Sequence, residues 1–109
     1  MSPNAKDIPA VFKDPDGCWT GFSARARVLV VNNSVKDRPA SILAYTDPRW
    51  KGRSVITNPI FGTTTAEIAA LFTIWGNEQA REFMAAIKLN NVAISTNNGE
   101  SANFVASGR

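Results

Sequence analysis

The stretch Ser54 to Ser95, SVITNPIFGTTTAEIAALFTIWGNEQAREFMAAIKLNNVAIS, decides the fold class. Its opening SVIT (54–57) reads as a short buried strand, and Pro59 and Gly62 then break the chain. From Thr64 to Trp75 the apolar residues Ile68, Leu71, Phe72 and Trp75 recur at helical spacing. Thr64 and Glu67 have the spacing of a capping box, in which each side chain serves the other's free backbone amide. Gly76 ends this helix and Asn77 can cap the next, Glu78 to Leu89, which carries Phe83, Met84 and Ile87 on one face. Val92 to Ser95 reads as a further strand. A strand, a helix pair and a strand in this order argue for an α/β layer with a mostly parallel sheet.

Towards the N-terminus, RARVLVVN (25–32) is the clearest strand signal in the chain, and its apolar end predicts burial on both faces. Trp19 to Phe22 reads as a short strand before it. Residues 1–17 form an extended, turn-rich lead-in, with Asp14-Pro15-Asp16-Gly17 as a strong turn. Ala40 to Tyr45 reads as a short helical turn ended by Asp47-Pro48, and Asn98 to Ala106 as a final helix. The next element in such an alternation is another strand, so the sheet reads as unfinished. An open edge of that kind invites pairing with a second copy, and a homodimer is the expectation.

Composition narrows the function classes. A chain of 109 residues with 44% hydrophobic and 19% charged residues suits one soluble domain with no need of a staple. Twelve Lys and Arg stand against nine Asp and Glu, a formal charge of +3, without the dense basic stripe of a nucleic-acid binder. Arg25 and Arg27 share one strand face, and Arg49, Lys51 and Arg53 alternate near Trp50. With no His, neither a Ser–His–Asp nor a Cys–His arrangement can be built, and the scattered carboxylates read as caps and solvated groups. The expectation is that the chain is not an enzyme. Cys18 has no disulfide partner and no zinc spacing. No run reaches the ~20 apolar residues of a membrane span. The start MSPNAKDIPA lacks the basic and apolar regions of a signal peptide, which implies a cytoplasmic location if the chain is expressed as it stands.

Anion binding is the chemistry the residues suit best. Ser23-Ala24-Arg25, Gly62-Thr63-Thr64-Thr65 and Asn97-Asn98-Gly99 are small, polar segments at strand or helix ends. Free amides at a helix N-terminus attract oxyanions, with help from the helix dipole. Ordinary capping is the favoured reading of Thr64, and capping by Asn97 or Asn98 also explains the third segment. Tyr45 is the single tyrosine, so no metal shell can be assembled from this chain, and no cofactor is expected in it.

Four segments in order resemble one family across nearly the whole chain. They are SPNAKDIP, DGCWTGFSARARVLVVN, LAYTDPRWKGRSVITNPIFGTTT and, after the helix pair, STNNGESANFVASG. They are similar to the iron(III)-type solute-binding proteins of ABC transporters. The TDPRWKG signature with the following NPIFGTT is the most specific part. The resemblance implies part of the second lobe of a type II periplasmic-binding-protein fold, in which two α/β lobes close over a ligand. It further implies a periplasmic parent that binds ferric iron with a synergistic anion and delivers it to a transporter permease. The paired tyrosine ligands of the family then fall after Arg109, and nothing is assigned to Tyr45.

The family's anion site is similar to Ser23-Ala24-Arg25 together with Asn98, and Thr63 and Thr64 remain helix N-terminal candidates. Ala24 stands where glycine is frequent, and its Cβ narrows the approach of a ligand to the backbone. On this reading the chain is a fragment that binds iron poorly by itself. Two alternatives stay open: a stand-alone protein-interaction domain that keeps the lobe fold without a ligand, and a binder of a small organic anion.

Overall fold

A computed structural model describes residues 3–108. Its regular elements are β1 (Val55–Thr57), α1 (Gly62–Trp75), α2 (Asn77–Leu89), β2 (Ala93–Ser95) and α3 (Asn98–Ala106). β1 and β2 pair in parallel, with Val55 opposite Ala93 and Thr57 opposite Ser95. The helical hairpin α1–α2 makes the crossover between them, as the alternation predicts. α3 packs against both strands, chiefly β1. The fold class is therefore α/β with a parallel sheet flanked by helices.

The hairpin is the best-packed unit. Ala80, Phe83 and Ile87 of α2 fall on one face at helical spacing and are buried. Trp75 meets Phe83 edge to face, with ring centroids 5.2 Å apart. Gly76 links the two helices at φ 81°, in the left-handed region where glycine carries no Cβ penalty. The buried amide of Asn90, just after α2, donates to the carbonyls of Tyr45 and Asp47, both at 2.9 Å. This locks the helix end to a 3-10 turn, Ile42–Thr46, which is the helical turn expected near Ala40–Tyr45.

Three local expectations give way. α1 begins at Gly62, not Thr64, with Phe61 at its cap position and no side-chain cap. Thr64 thus sits inside the first turn, and the Thr64–Glu67 capping box does not form because Arg27 takes both side chains. Asn77 is likewise the first residue of α2, with Gly76 at the cap position. At α3 the cap is Asn97, whose side chain accepts from the amide of Glu100.

The N-terminal third departs further. Trp19 to Phe22 contributes a single antiparallel bridge, between Lys13 and Thr20. Within the expected extended lead-in, Pro3–Asp7 and Ala10–Phe12 are 3-10 turns, while Met1 and Ser2 lie outside the described residues. The Asp14–Gly17 turn is present, closed by the Gly17 amide on the Asp14 carbonyl. RARVLVVN (25–32) enters no sheet, and Val28 and Val30 are 73% and 61% exposed. The expectation of burial on both faces is corrected: a strand is held by partners, and among the described residues none adjoins this one. The radius of gyration, 17.5 Å, accordingly exceeds the ~13 Å of a compact chain of this length.

Candidate solute-binding face

Arg27 organises the site. Its Nε donates to Glu67 Oε2 at 2.9 Å, and its Nη2 lies 2.8 Å from the same oxygen. Nη2 also donates to Thr64 Oγ1 at 3.3 Å, and Nη1 to Thr63 Oγ1 at 3.1 Å and Asn98 Oδ1 at 3.5 Å. One guanidinium thereby joins the first turn of α1 to the first residue of α3. The planar fork of arginine, with five donors, suits a junction that an ammonium on a flexible stem would hold poorly.

Behind this junction the polar groups are mutually satisfied. Thr57 Oγ1 donates to Asn98 Oδ1 at 2.9 Å and shares a hydrogen bond with Ser101, which also bonds Ser95. Thr57, Thr64 and Ser95 are buried. Two helix N-termini, each with a positive dipole end, thus converge on one spot. The α1 terminus has no side-chain cap, so its first amides are not taken by a cap of their own.

A cavity of about 440 Å³ opens beside this junction. Arg25, Arg27, Thr63, Thr64, Glu67 and Asn98 line its polar end, and Leu29, Ile42, Ile68 and Leu71 belong to its apolar body. Glu67 neutralises Arg27, whereas Arg25 makes no hydrogen bond or ion pair among the described residues. Arg25 is therefore the cation at this rim whose charge is not already matched. Tyr45 lines the same cavity, and its hydroxyl donates to the carbonyl of Val55 at 3.3 Å. Burial, then the nearby Glu67 carboxylate, pushes its ionisation above the ordinary value of 10.0, against the opposing pull of Arg27. A phenol so placed is a poor phenolate ligand.

Of the residues singled out from the sequence, the structure brings together Thr63, Thr64 and Asn98, with Arg25 beside them. Ser23 and Ala24 are exposed and stand outside the cavity lining. Arg27 was missed as a site residue. Its signal was the period of two shared with Arg25, which places both on one face of an extended chain.

The bacterial extracellular solute-binding protein family matches residues 1–109, the full length of the chain. The chain belongs to this family. Its members are binding proteins, not a class of enzymes, and their setting is extracellular or periplasmic. Among its relatives, Iron uptake protein A1 of Synechocystis is 35% identical over 75 residues, covering 66% of this chain and 21% of that protein. Iron uptake protein A2 of the same organism is 29% identical over 83 residues, covering 73% of this chain and 24% of that protein. The crystal structure of iron-bound HitA from Pseudomonas aeruginosa superposes with a TM-score of 0.81 at 29% identity, over 99% of this chain and 36% of that one. These relatives are named for iron uptake or for bound iron, and the α/β unit of this chain shares its fold with part of the solved one. The chain spans between 21% and 36% of the length of these relatives.

Proposed function

We propose that this chain supplies one wall of the solute cleft of a ferric-iron uptake protein and holds the oxyanion that accompanies the metal. The observation that carries this reading is the convergence of two helix N-termini on Arg27, with the unmatched Arg25 beside them. Asn98 and the first amides of α1 at Thr63 and Thr64 offer donors to the anion. Arg25 contributes charge, while Ser23 and Ala24 stay exposed outside the cavity lining. Arg27 is the positioning residue that keeps the two helix ends together.

Iron is cargo in this account, and its protein ligands come from elsewhere. Among the described residues, no three His, Cys, Asp or Glu side chains stand close enough to hold a metal. Tyr45 is engaged with a backbone carbonyl. On this reading the chain by itself binds iron poorly. In the longer protein, closure of a second lobe would dry the site and strengthen its charge-assisted hydrogen bonds. Delivery to a transporter permease belongs to that longer protein.

Backbone amide shifts during titration with phosphate and then with ferric citrate test this reading. Shifts confined to Thr63, Thr64, Asn98 and Gly99 with phosphate, and no tyrosinate-to-iron absorption band with ferric citrate, are the expected results. Phosphate shifts that avoid both helix N-termini, or a strong band from Tyr45, would overturn it.

A further inference from the structure

Arg27 sets the hydrogen-bond polarity of the junction. A guanidinium only donates, so each oxygen it touches must accept, and any hydrogen on that oxygen is turned elsewhere. Thr63 Oγ1 accepts from Nη1 at 3.1 Å and Thr64 Oγ1 from Nη2 at 3.3 Å. Neither hydroxyl donates to an acceptor among the described residues, although Thr64 is 2% exposed. Asn98 is oriented in the same way. Its Oδ1 accepts from both Arg27 and Thr57, which leaves Nδ2 as a donor without a partner among the described residues. All three residues line the cavity of about 440 Å³. A buried hydroxyl whose hydrogen finds no protein acceptor, facing a polar cavity, points to a ligand that supplies one.

Glu67 has the opposite polarity. Its Oε2 accepts from Arg27, whereas its Oε1 accepts no hydrogen bond among the described residues. The side chain is 25% exposed and lines the same cavity. Tyr45, a donor on this wall, directs its hydroxyl to the Val55 carbonyl and does not serve Glu67. An ionised carboxylate has no hydrogen of its own to offer. A ligand here therefore meets the donors of Thr63, Thr64 and Asn98, the charge of Arg25, and at Glu67 an acceptor that no protein donor fills.

We propose that Glu67 determines the specificity of the anion site, selecting an oxyanion that still carries a proton over one that carries none. This inference rests on the anion reading and adds the ligand class to it. A hydroxyl-bearing oxyanion such as hydrogen phosphate sets its bare oxygens on the threonine and asparagine donors and donates its own O–H to Glu67 Oε1. Sulfate has acceptors alone. One of its oxygens faces the carboxylate with no hydrogen between them, a like-charge contact between partly desolvated groups. Shape does not separate the two ligands, since both are tetrahedral and similar in size. The discrimination comes from the repulsive contact that the wrong ligand makes, which is the stronger way to tell near-isosteres apart.

Calorimetric titration of the full chain with phosphate, sulfate and monofluorophosphate at equal ionic strength tests the proposal. At about pH 8 phosphate is chiefly the dianion and equals sulfate in charge, so the proton is the variable. Phosphate is expected to bind at least about tenfold more tightly than sulfate. Monofluorophosphate keeps the phosphorus, the shape and the charge but carries fluorine in place of the hydroxyl, and it should bind as weakly as sulfate. In Glu67→Gln the side-chain carbonyl stays with Arg27, and the amide nitrogen turns to the cavity as a donor. That variant should bind sulfate about tenfold more tightly than the unaltered chain and bring the phosphate-to-sulfate ratio close to one. The monofluorophosphate comparison needs no variant and decides the matter even where Glu67→Gln does not fold. Equal affinity for phosphate and monofluorophosphate, or a phosphate preference that survives in folded Glu67→Gln, would overturn the selectivity and leave the anion reading standing. Binding of none of the three anions would overturn both.

Discussion

The helical hairpin of residues 62–89 and the segment of residues 25–32 carry comparably strong apolar patterns, and they end in opposite states. The hairpin closes its hydrogen bonds within itself and buries Phe83 and Ile87 against its own neighbours. The segment is tied down at Arg27 and Asn32 and leaves Val28 and Val30 exposed between those ties. A helix satisfies its backbone locally, whereas a strand depends on a partner that the local sequence does not supply. What stabilises this chain is therefore concentrated on one side of it, and the proposed anion site lies at the seam between the two.

That contrast is broken most severely in the hairpin. Phe83→Ala should cost about 3 kcal/mol in denaturant unfolding, since it removes a buried ring and its edge contact with Trp75. Val30→Ala, at 61% exposure, should stay within about 0.5 kcal/mol. Equal losses for the two would mean that the segment is packed as firmly as the hairpin. Next in size is Asn90→Ala, with a loss of about 2 kcal/mol, because the carbonyls of Tyr45 and Asp47 lose the donor that α2 supplies at its end. Asn32→Ala is smaller, about 1 kcal/mol, and its effect should appear as faster hydrogen exchange at the last turn of α3.

The smallest expected effect is electrostatic. Glu100 accepts hydrogen bonds from the amide and hydroxyl of Thr96, which hold its carboxyl below the ordinary 4.5. A carboxylate with a lowered folded-state pKa adds stability that is complete above that ordinary value. The contribution is lost as pH falls through the lowered one. Fraying of the α3 N-terminus should thus set in below about pH 4.5, and Glu100→Gln should remove the pH dependence from the exchange rates of that turn. Unchanged acid sensitivity in Glu100→Gln would assign it to another group.

The same contrast explains what could be read from residues alone. Both strands of the sheet, the helix pair and α3 were legible because their periodicity and their glycine and asparagine punctuation are local signals. The partner of RARVLVVN (25–32) was not, since pairing depends on residues far away in the chain. Thr64 and Glu67 looked like a capping box at the correct spacing. Only the approach of Arg27, 37 positions from Thr64 along the chain, shows why they serve another purpose. Thr63, Thr64 and Asn98 were legible as helix-terminal candidates, and their meeting was not. Ser23 and Ala24 were read both from their small, polar segment and from the family resemblance, and they stand exposed, outside the cavity lining.

We propose that an oxyanion sits between the N-termini of α1 and α3, with Arg25 as its charge partner. Calorimetric titration of the chain with phosphate and with citrate, repeated on Arg25→Ala, tests it most directly. The account predicts binding with a Kd on the order of 1 mM or tighter that weakens with added salt and is lost in Arg25→Ala. No heat from either anion, or binding that Arg25→Ala leaves unchanged, would contradict it.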